Sequence, residues 1–93
     1  MQTIDKLREK IDGIDNKLLK LLDSRFEICQ KIGELKAQSG KNVTDSGRES
    51  FIYYKISSSR AKYKKEITSV FSQIITESKN IQNTDNKADY EDN

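Results

Sequence analysis

The stretch IDKLREKIDGIDNKLLKLLDSRFEICQKIGEL, residues 4–35, decides the fold. Stepping three and four residues in turn picks out Ile4, Leu7, Ile11, Ile14, Leu18, Leu21, Arg25, Ile28, Ile32 and Leu35, a single stripe along a helix of 3.6 residues per turn. Nine of these ten positions are apolar, which is the seam of a coiled-coil-like helix. The tenth is Arg25. A guanidinium cannot shed its proton and is costly to bury without an anionic or hydrogen-bonding partner, so the seam is expected to enclose something negatively charged.

Length turns this helix into an argument about assembly. The chain has 93 residues, 33% hydrophobic against 34% charged, and so has little apolar material with which to close a core alone. A helix over about residues 3–38 would be roughly 50 Å long, whereas a compact domain of this size is about 30 Å across. The helix must overhang its own domain, and the same helix of a second copy would cover its seam most economically in a two-fold dimer.

Beyond the seam, Gly40 offers the left-handed conformation that closes a helix, and Lys36 sits in the last turn, where a cation suits the helix dipole. Two starts compete for the second helix. Asp45 can cap it with its carboxylate, or Ser46 and Glu49 can form a capping box; either begins helix 2 near residue 47. Phe51, Ile52 and Ile56 mark its apolar side, and the serines at 57–59 weaken its end without a clear stop. Residues 60–65 contain neither Pro nor Gly and read equally as a loop or as a helical continuation. A third helix follows from Ile67, Val70, Phe71, Ile74 and Ile75, with Ser78, Ile81 and Gln82 extending the same face. The expected fold is all-α, three helices per chain with a very long first one, as an intertwined helical homodimer. Residues 1–83 form the domain. Residues 84–93 are too polar to repay ordering and are expected to be a disordered acidic tail.

Charge and composition exclude several functions. The net charge of +2 is unevenly placed: Asp85, Asp89, Glu91 and Asp92 against Lys87 leave the last ten residues at −3 and the body at +5. The body favours anions, but its basic residues are interleaved with acids instead of gathered into a stripe, which argues against nucleic acid as a partner. No histidine and a single cysteine rule out a Cys/His metal site and a disulfide framework. No apolar run reaches the length of a signal or membrane segment, so the chain reads as soluble and cytoplasmic.

The misplaced polar residues carry the functional signal. Arg25 and Lys36 are eleven residues apart, three helical turns plus roughly 20°, so they share a face with backbones about 16 Å apart. Two extended side chains pointing toward each other leave a gap the size of a small organic acid. Arg8 lies about 25 Å from Arg25 along the axis, too far to reach the same ligand from the same helix, so any contribution must come from the other subunit. Each residue also has a plainer reading. Arg25 would serve as a register device facing a glutamate across the dimer, Lys36 as a solvated charge, Glu49 as a capping-box partner, and Ser78 and Gln82 as the place where helix 3 emerges into water. Cys29 reads as packing. Together, however, they describe a pocket lined by cations and neutral donors.

The segments LREKIDGIDNKLLKLLDSR at 7–25, KIGELK at 31–36, VTDSGRE at 43–49 and ITSVFSQIITESKNIQ at 67–82 resemble, in order and spacing, the all-helical chorismate mutases of the AroQ class. These include the mutase domain fused to prephenate dehydratase in many bacteria. Arg8, Arg25, Lys36, Asp45, Arg48, Glu49, Ser78 and Gln82 match that family's polar positions. The connection between helices 2 and 3 looks a few residues shorter than in the familiar bacterial enzyme. The resemblance implies a homodimer with two active sites, each bounded mostly by one chain and completed by Arg8 of the other.

The implied reaction is the Claisen rearrangement of chorismate to prephenate in phenylalanine and tyrosine biosynthesis, which breaks an ether C–O bond while forming a C–C bond. It uses no nucleophile and no cofactor, in keeping with a chain that carries no nucleophile-and-base constellation. In this scheme Arg8 and Arg25 clamp the two carboxylates, since a guanidinium fork matches a carboxylate bidentately. Lys36 and Gln82 donate to the ether oxygen, with Lys36 facing charge that grows only in the transition state. Glu49 accepts from the ring hydroxyl and helps hold Lys36, Asp45 positions the ring through its turn, Ser78 supports a carboxylate, and Arg48 orders the acidic groups near it. Two rivals remain. An isochorismate-pyruvate lyase would share the fold and the cations, but Glu49 directly after Arg48, together with Ser78, follows the mutase pattern. A non-catalytic helical dimerisation module would use Arg25 only for register.

Overall fold

A computed structural model describes residues 2–83; the expected acidic tail at 84–93 lies outside the described residues. The chain folds into three helices, α1 over Ile4–Ser39, α2 over Ser46–Ser58 and α3 over Lys64–Gln82. Helix α1 starts where the Thr3 hydroxyl accepts from the Lys6 backbone N–H. It stops at Gly40, whose φ of 70° is the left-handed cap expected of glycine. Its 36 residues span about 54 Å at 1.5 Å per residue, and the molecule measures 57 × 35 × 17 Å. One helix therefore sets the longest dimension.

Asp45 wins the competition to start α2: its Oδ1 accepts from the Arg48 backbone N–H at 3.0 Å, and the Ser46–Glu49 capping box does not form. The end of α2, open in the sequence, falls at Ser58. There Ser59 Oγ donates to the Ile56 carbonyl at 2.7 Å and accepts from the Ala61 N–H, which turns the chain through a short loop before α3 begins at Lys64.

Helix α3 packs against both α1 and α2, which share no packing contact of their own. The core is correspondingly thin. Ile52, Ile56 and Ile75 are buried, with Tyr53, Ile67 and Phe71 packed partly against them. The apolar side expected for α2 needs one correction: Phe51 is exposed, its ring flanked by Arg48 and Lys55, and Tyr53 takes the inward place. Ile52 and Ile56 face α3, and Phe51, one residue before Ile52, sits about 100° round the helix from it on the outer side.

Only Cys29 and Gly33 of α1 are buried. All nine apolar seam residues are at least 40% exposed, so α2 and α3 do not cover the seam that periodicity identifies. Gly33 matters for a different reason. A Cβ there would stand 2.6 Å from both the Cα and the carbonyl oxygen of Gln82, so α1 and the end of α3 meet backbone to backbone, an approach only glycine permits. Gly13, by contrast, has nothing within 4 Å. Replacing Gly33 with Ala should therefore cost about 1–3 kcal/mol of stability through forced separation of the two helices. Gly13→Ala should instead gain about 0.5–1 kcal/mol from helix propensity. Chemical denaturation of the two variants checks this, and a Gly33→Ala protein as stable as the parent would refute the close crossing.

Candidate active site

The two helix ends that meet at Gly33 form one wall of a cavity of about 450 Å³, within the usual range for small-molecule sites. Helix α1 contributes Arg25, Ile28, Cys29, Ile32 and Lys36, the turn contributes Val43 and Asp45, α2 contributes Arg48, Glu49 and Ile52, and α3 contributes Ile75, Lys79 and Gln82. Arg25, Ile28, Ile32 and Lys36 follow one another at three- and four-residue steps, with Cys29 beside them, so one helical face supplies both the cations and the apolar floor between them.

Arg25 is half-buried and tied to α3: its Nη1 donates to Ser78 Oγ at 2.5 Å, and Ser78 in turn donates to the Ile74 carbonyl at 2.6 Å. Ser78 is buried and acts behind the cavity wall instead of on it. Nη1 also donates to Cys29 Sγ at 3.8 Å, so this end of the guanidinium is spent on neutral acceptors, which orient the group without neutralising it. Lys36 Nζ donates to the Val43 carbonyl at 2.9 Å, and the Lys41 N–H donates back to the Lys36 carbonyl at 2.9 Å. These two bonds fold the 40–45 turn onto the end of α1. An ammonium has three donors, so Lys36 keeps two for a ligand.

On the opposite side, Glu49 does not hold Lys36 as expected. Its Oε2 lies 2.8 Å from Lys79 Nζ across the α2–α3 contact. The Asp45 carboxylate is engaged in capping α2. Gln82 Oε1 is buried without a hydrogen-bond partner among the described residues, a condition worth about 1–3 kcal/mol of desolvation when nothing fills it. A half-turn of the terminal amide would present its NH2 group at the same place. Arg25, Lys36, Arg48 and Lys79 face Asp45 and Glu49 around one space, an excess of two positive charges beside the apolar side chains of Ile28, Ile32, Ile52 and Ile75. A small dianion that can use hydrogen bonds fits this surface.

The structure therefore brings six of the eight singled-out polar residues to one cavity wall, namely Arg25, Lys36, Asp45, Arg48, Glu49 and Gln82, with Ser78 buttressing Arg25 from behind. Arg8 is exposed and does not line the cavity. Lys79, which also lines the cavity, is not among the residues that the sequence singles out. Its signal was present: Ile75, Ser78, Lys79 and Gln82 step by three, one and three residues, one helical face, but a lysine beside that stripe reads first as a solvated charge.

Comparison with known proteins bears on this cavity directly. The sequence model of the family described as chorismate mutase type II matches residues 7–83. Over 56 residues, or 60% of this chain, the sequence is 39% identical to a protein of Methanocaldococcus jannaschii named chorismate mutase, covering 57% of it. Over a stretch of the same length it is 36% identical to the bifunctional chorismate mutase/prephenate dehydratase of Aquifex aeolicus, covering 16% of that protein. Over 43 residues, 46% of this chain, the sequence is 42% identical to a 3-dehydroquinate dehydratase of Pyrobaculum aerophilum, covering 14% of that protein. The chain thus spans little more than half of the first relative and a small part of the other two. Because the family match runs through all three helices and every cavity-lining residue, the chain belongs to the chorismate mutase type II family.

Proposed function

We propose that residues 1–83 form a chorismate mutase domain that converts chorismate to prephenate by electrostatic and conformational stabilisation, without a covalent intermediate or a cofactor. The observation that carries this reading is the cavity in which Arg25, Lys36 and Gln82 converge on an apolar floor, in a chain of this family. The substrate is a flexible dicarboxylate that must fold into a compact conformer before its ether C–O bond breaks and the new C–C bond forms. Arg25, held in place by Ser78, grips one carboxylate. Lys36 and Gln82 donate to the ether oxygen as negative charge develops on it. Glu49 accepts from the ring hydroxyl, while Asp45 and Arg48 hold the start of α2 against the ring.

The second carboxylate is assigned to Arg8 of another copy. Nine exposed seam residues on α1 support an intertwined homodimer, since monomeric proteins rarely leave a contiguous apolar patch of that extent in water. A groove lined by Leu18, Leu21, Leu22, Ile67, Val70, Phe71 and Ile74 continues that seam onto α3. No helix among the described residues is long and apolar enough to cross a membrane. The reading includes a cytoplasmic site of action.

The magnitudes suffice. A millionfold acceleration asks for about 8 kcal/mol; one preorganised donor in a water-poor site supplies about 3–4 kcal/mol, and restraint of the reacting conformer supplies the remainder.

Chorismate consumption with identification of the product tests the assignment. Prephenate supports it; salicylate with pyruvate would indicate the lyase of the same fold, and no turnover together with no binding of a bicyclic diacid mimic would leave a dimerisation module. Lys36→Ala should lower turnover by about a hundredfold or more while circular dichroism shows the helices intact, and near-normal turnover would remove Lys36 from its role. Gln82→Glu should confine activity to acid, because only the protonated carboxyl donates to the ether oxygen; activity lost as pH rises is the expected sign, and a pH profile like that of the parent would contradict the placement. Arg8→Ala and Arg25→Ala proteins, each inactive, should recover partial activity after subunit exchange, since one hybrid site would contain both arginines. Proven exchange without recovery would argue that the site is not shared.

A further inference from the structure

The scheme above leaves Lys79 without a task. It stands on α3 between Ser78 and Gln82, lines the cavity, and places Nζ 2.8 Å from Glu49 Oε2. Both side chains are only partly exposed, at 34% for Lys79 and 26% for Glu49, so the pair is shielded from water more than a surface ion pair. On the chorismate mutase reading, we propose that Lys79 is a positioning residue that captures Glu49 and so keeps Lys36 free for the substrate's ether oxygen.

Two ammonium groups, Lys36 and Lys79, compete for one carboxylate. Asp45 and Glu49 are the carboxylates that line the cavity, and Asp45 is committed to the Arg48 N–H. Glu49 is therefore the anion most able to neutralise Lys36. Lys36 has given one donor to the Val43 carbonyl, and a carboxylate claiming the other two would outbid a neutral ether oxygen, because it adds the attraction of a full opposite charge to the same donor. The packing decides the outcome. Helix α2 rests on α3 and does not pack on α1, so Glu49 pairs across the α2–α3 contact with Lys79. Glu49 Oε2 is buried and held by the charge of Lys79 at 2.8 Å without an aligned hydrogen bond; a carboxylate has about four acceptor sites, so Glu49 still has acceptors for the ring hydroxyl. Without Lys79, the cations left around the cavity for Glu49 to turn to are Lys36 and Arg25 from α1 and Arg48 from its own helix.

A mutant cycle on the full chain tests this, using kcat and KM for chorismate. Lys79→Met should lower kcat by about tenfold to a hundredfold, the range for disturbing a hydrogen bond to a charged group. Lys79→Arg, which keeps the cation, should restore most of that loss. The diagnostic arm is the Glu49→Gln background, where no carboxylate remains to be captured. There Lys79→Met should leave kcat nearly unchanged, whereas a lysine that serves only packing or general charge would cost the same factor in both backgrounds. Helical circular dichroism and melting temperature are followed throughout, and if Lys79→Met does not fold, Lys79→Gln replaces it in the cycle. An active parent with an undiminished Lys79→Met protein, or with losses that multiply in the double variant, overturns this role and leaves the mutase reading standing. A parent that converts no chorismate overturns both.

Discussion

The close crossing of α1 and α3 at Gly33 is the constraint on which the remaining architecture rests. Because a Cβ at that point would sit 2.6 Å from Gln82 backbone atoms, the helices can touch only where one of them has no side chain. That contact brings the end of α3 beside the last turn of α1, so Gln82 and Lys36 border one cavity. A second tie, Arg25 to Ser78, fixes the same pair of helices two turns earlier along α1. Between the two ties the helices are held at both ends of the cavity, and the apolar side chains between them form its floor.

Polar groups in this site are arranged so that each fixed contact leaves a free valence. Arg25 spends Nη1 on a neutral hydroxyl and a neutral thiol, and Lys36 spends one donor on a backbone carbonyl. Neither cation is neutralised by the contact that orients it. The carboxylates are treated in the opposite way: Asp45 caps α2 and Glu49 pairs with Lys79. The resulting surface is preorganised for negative charge, the arrangement that stabilises charge developing during a reaction without having to reorient. A unimolecular rearrangement of a dianion requires little else from its protein.

The same economy explains why the chain is thin. Core residues are few, and among the described residues no large side chain is fully buried, because α1 directs most of its apolar stripe away from its own α2 and α3. A domain this small has limited apolar surface, and using the long helix to reach a second copy would let one seam serve both stability and the supply of Arg8. Stability and site assembly would then be the same event, and the exposed seam and the isolated position of Arg8 would share one explanation.

Local rules in the sequence settled the helices themselves: the stripe along α1, its end at Gly40, and the polar residues that interrupt the apolar faces at Arg25, Ser78 and Gln82. These depend on dihedral preferences and on residues three or four apart, which a single chain segment contains in full. Where neighbours had to choose, tertiary structure decided. Asp45 and not Ser46 caps α2, Tyr53 and not Phe51 turns inward, and Glu49 reaches for Lys79 instead of Lys36. Periodicity says which residues share a face, but it carries no information about which face another helix will cover, and an ion pair between helices is set by how they cross. The gap between Arg25 and Lys36 is thus legible from one helix, whereas a further cation, Lys79, enters the site only because α3 lies across both of the others.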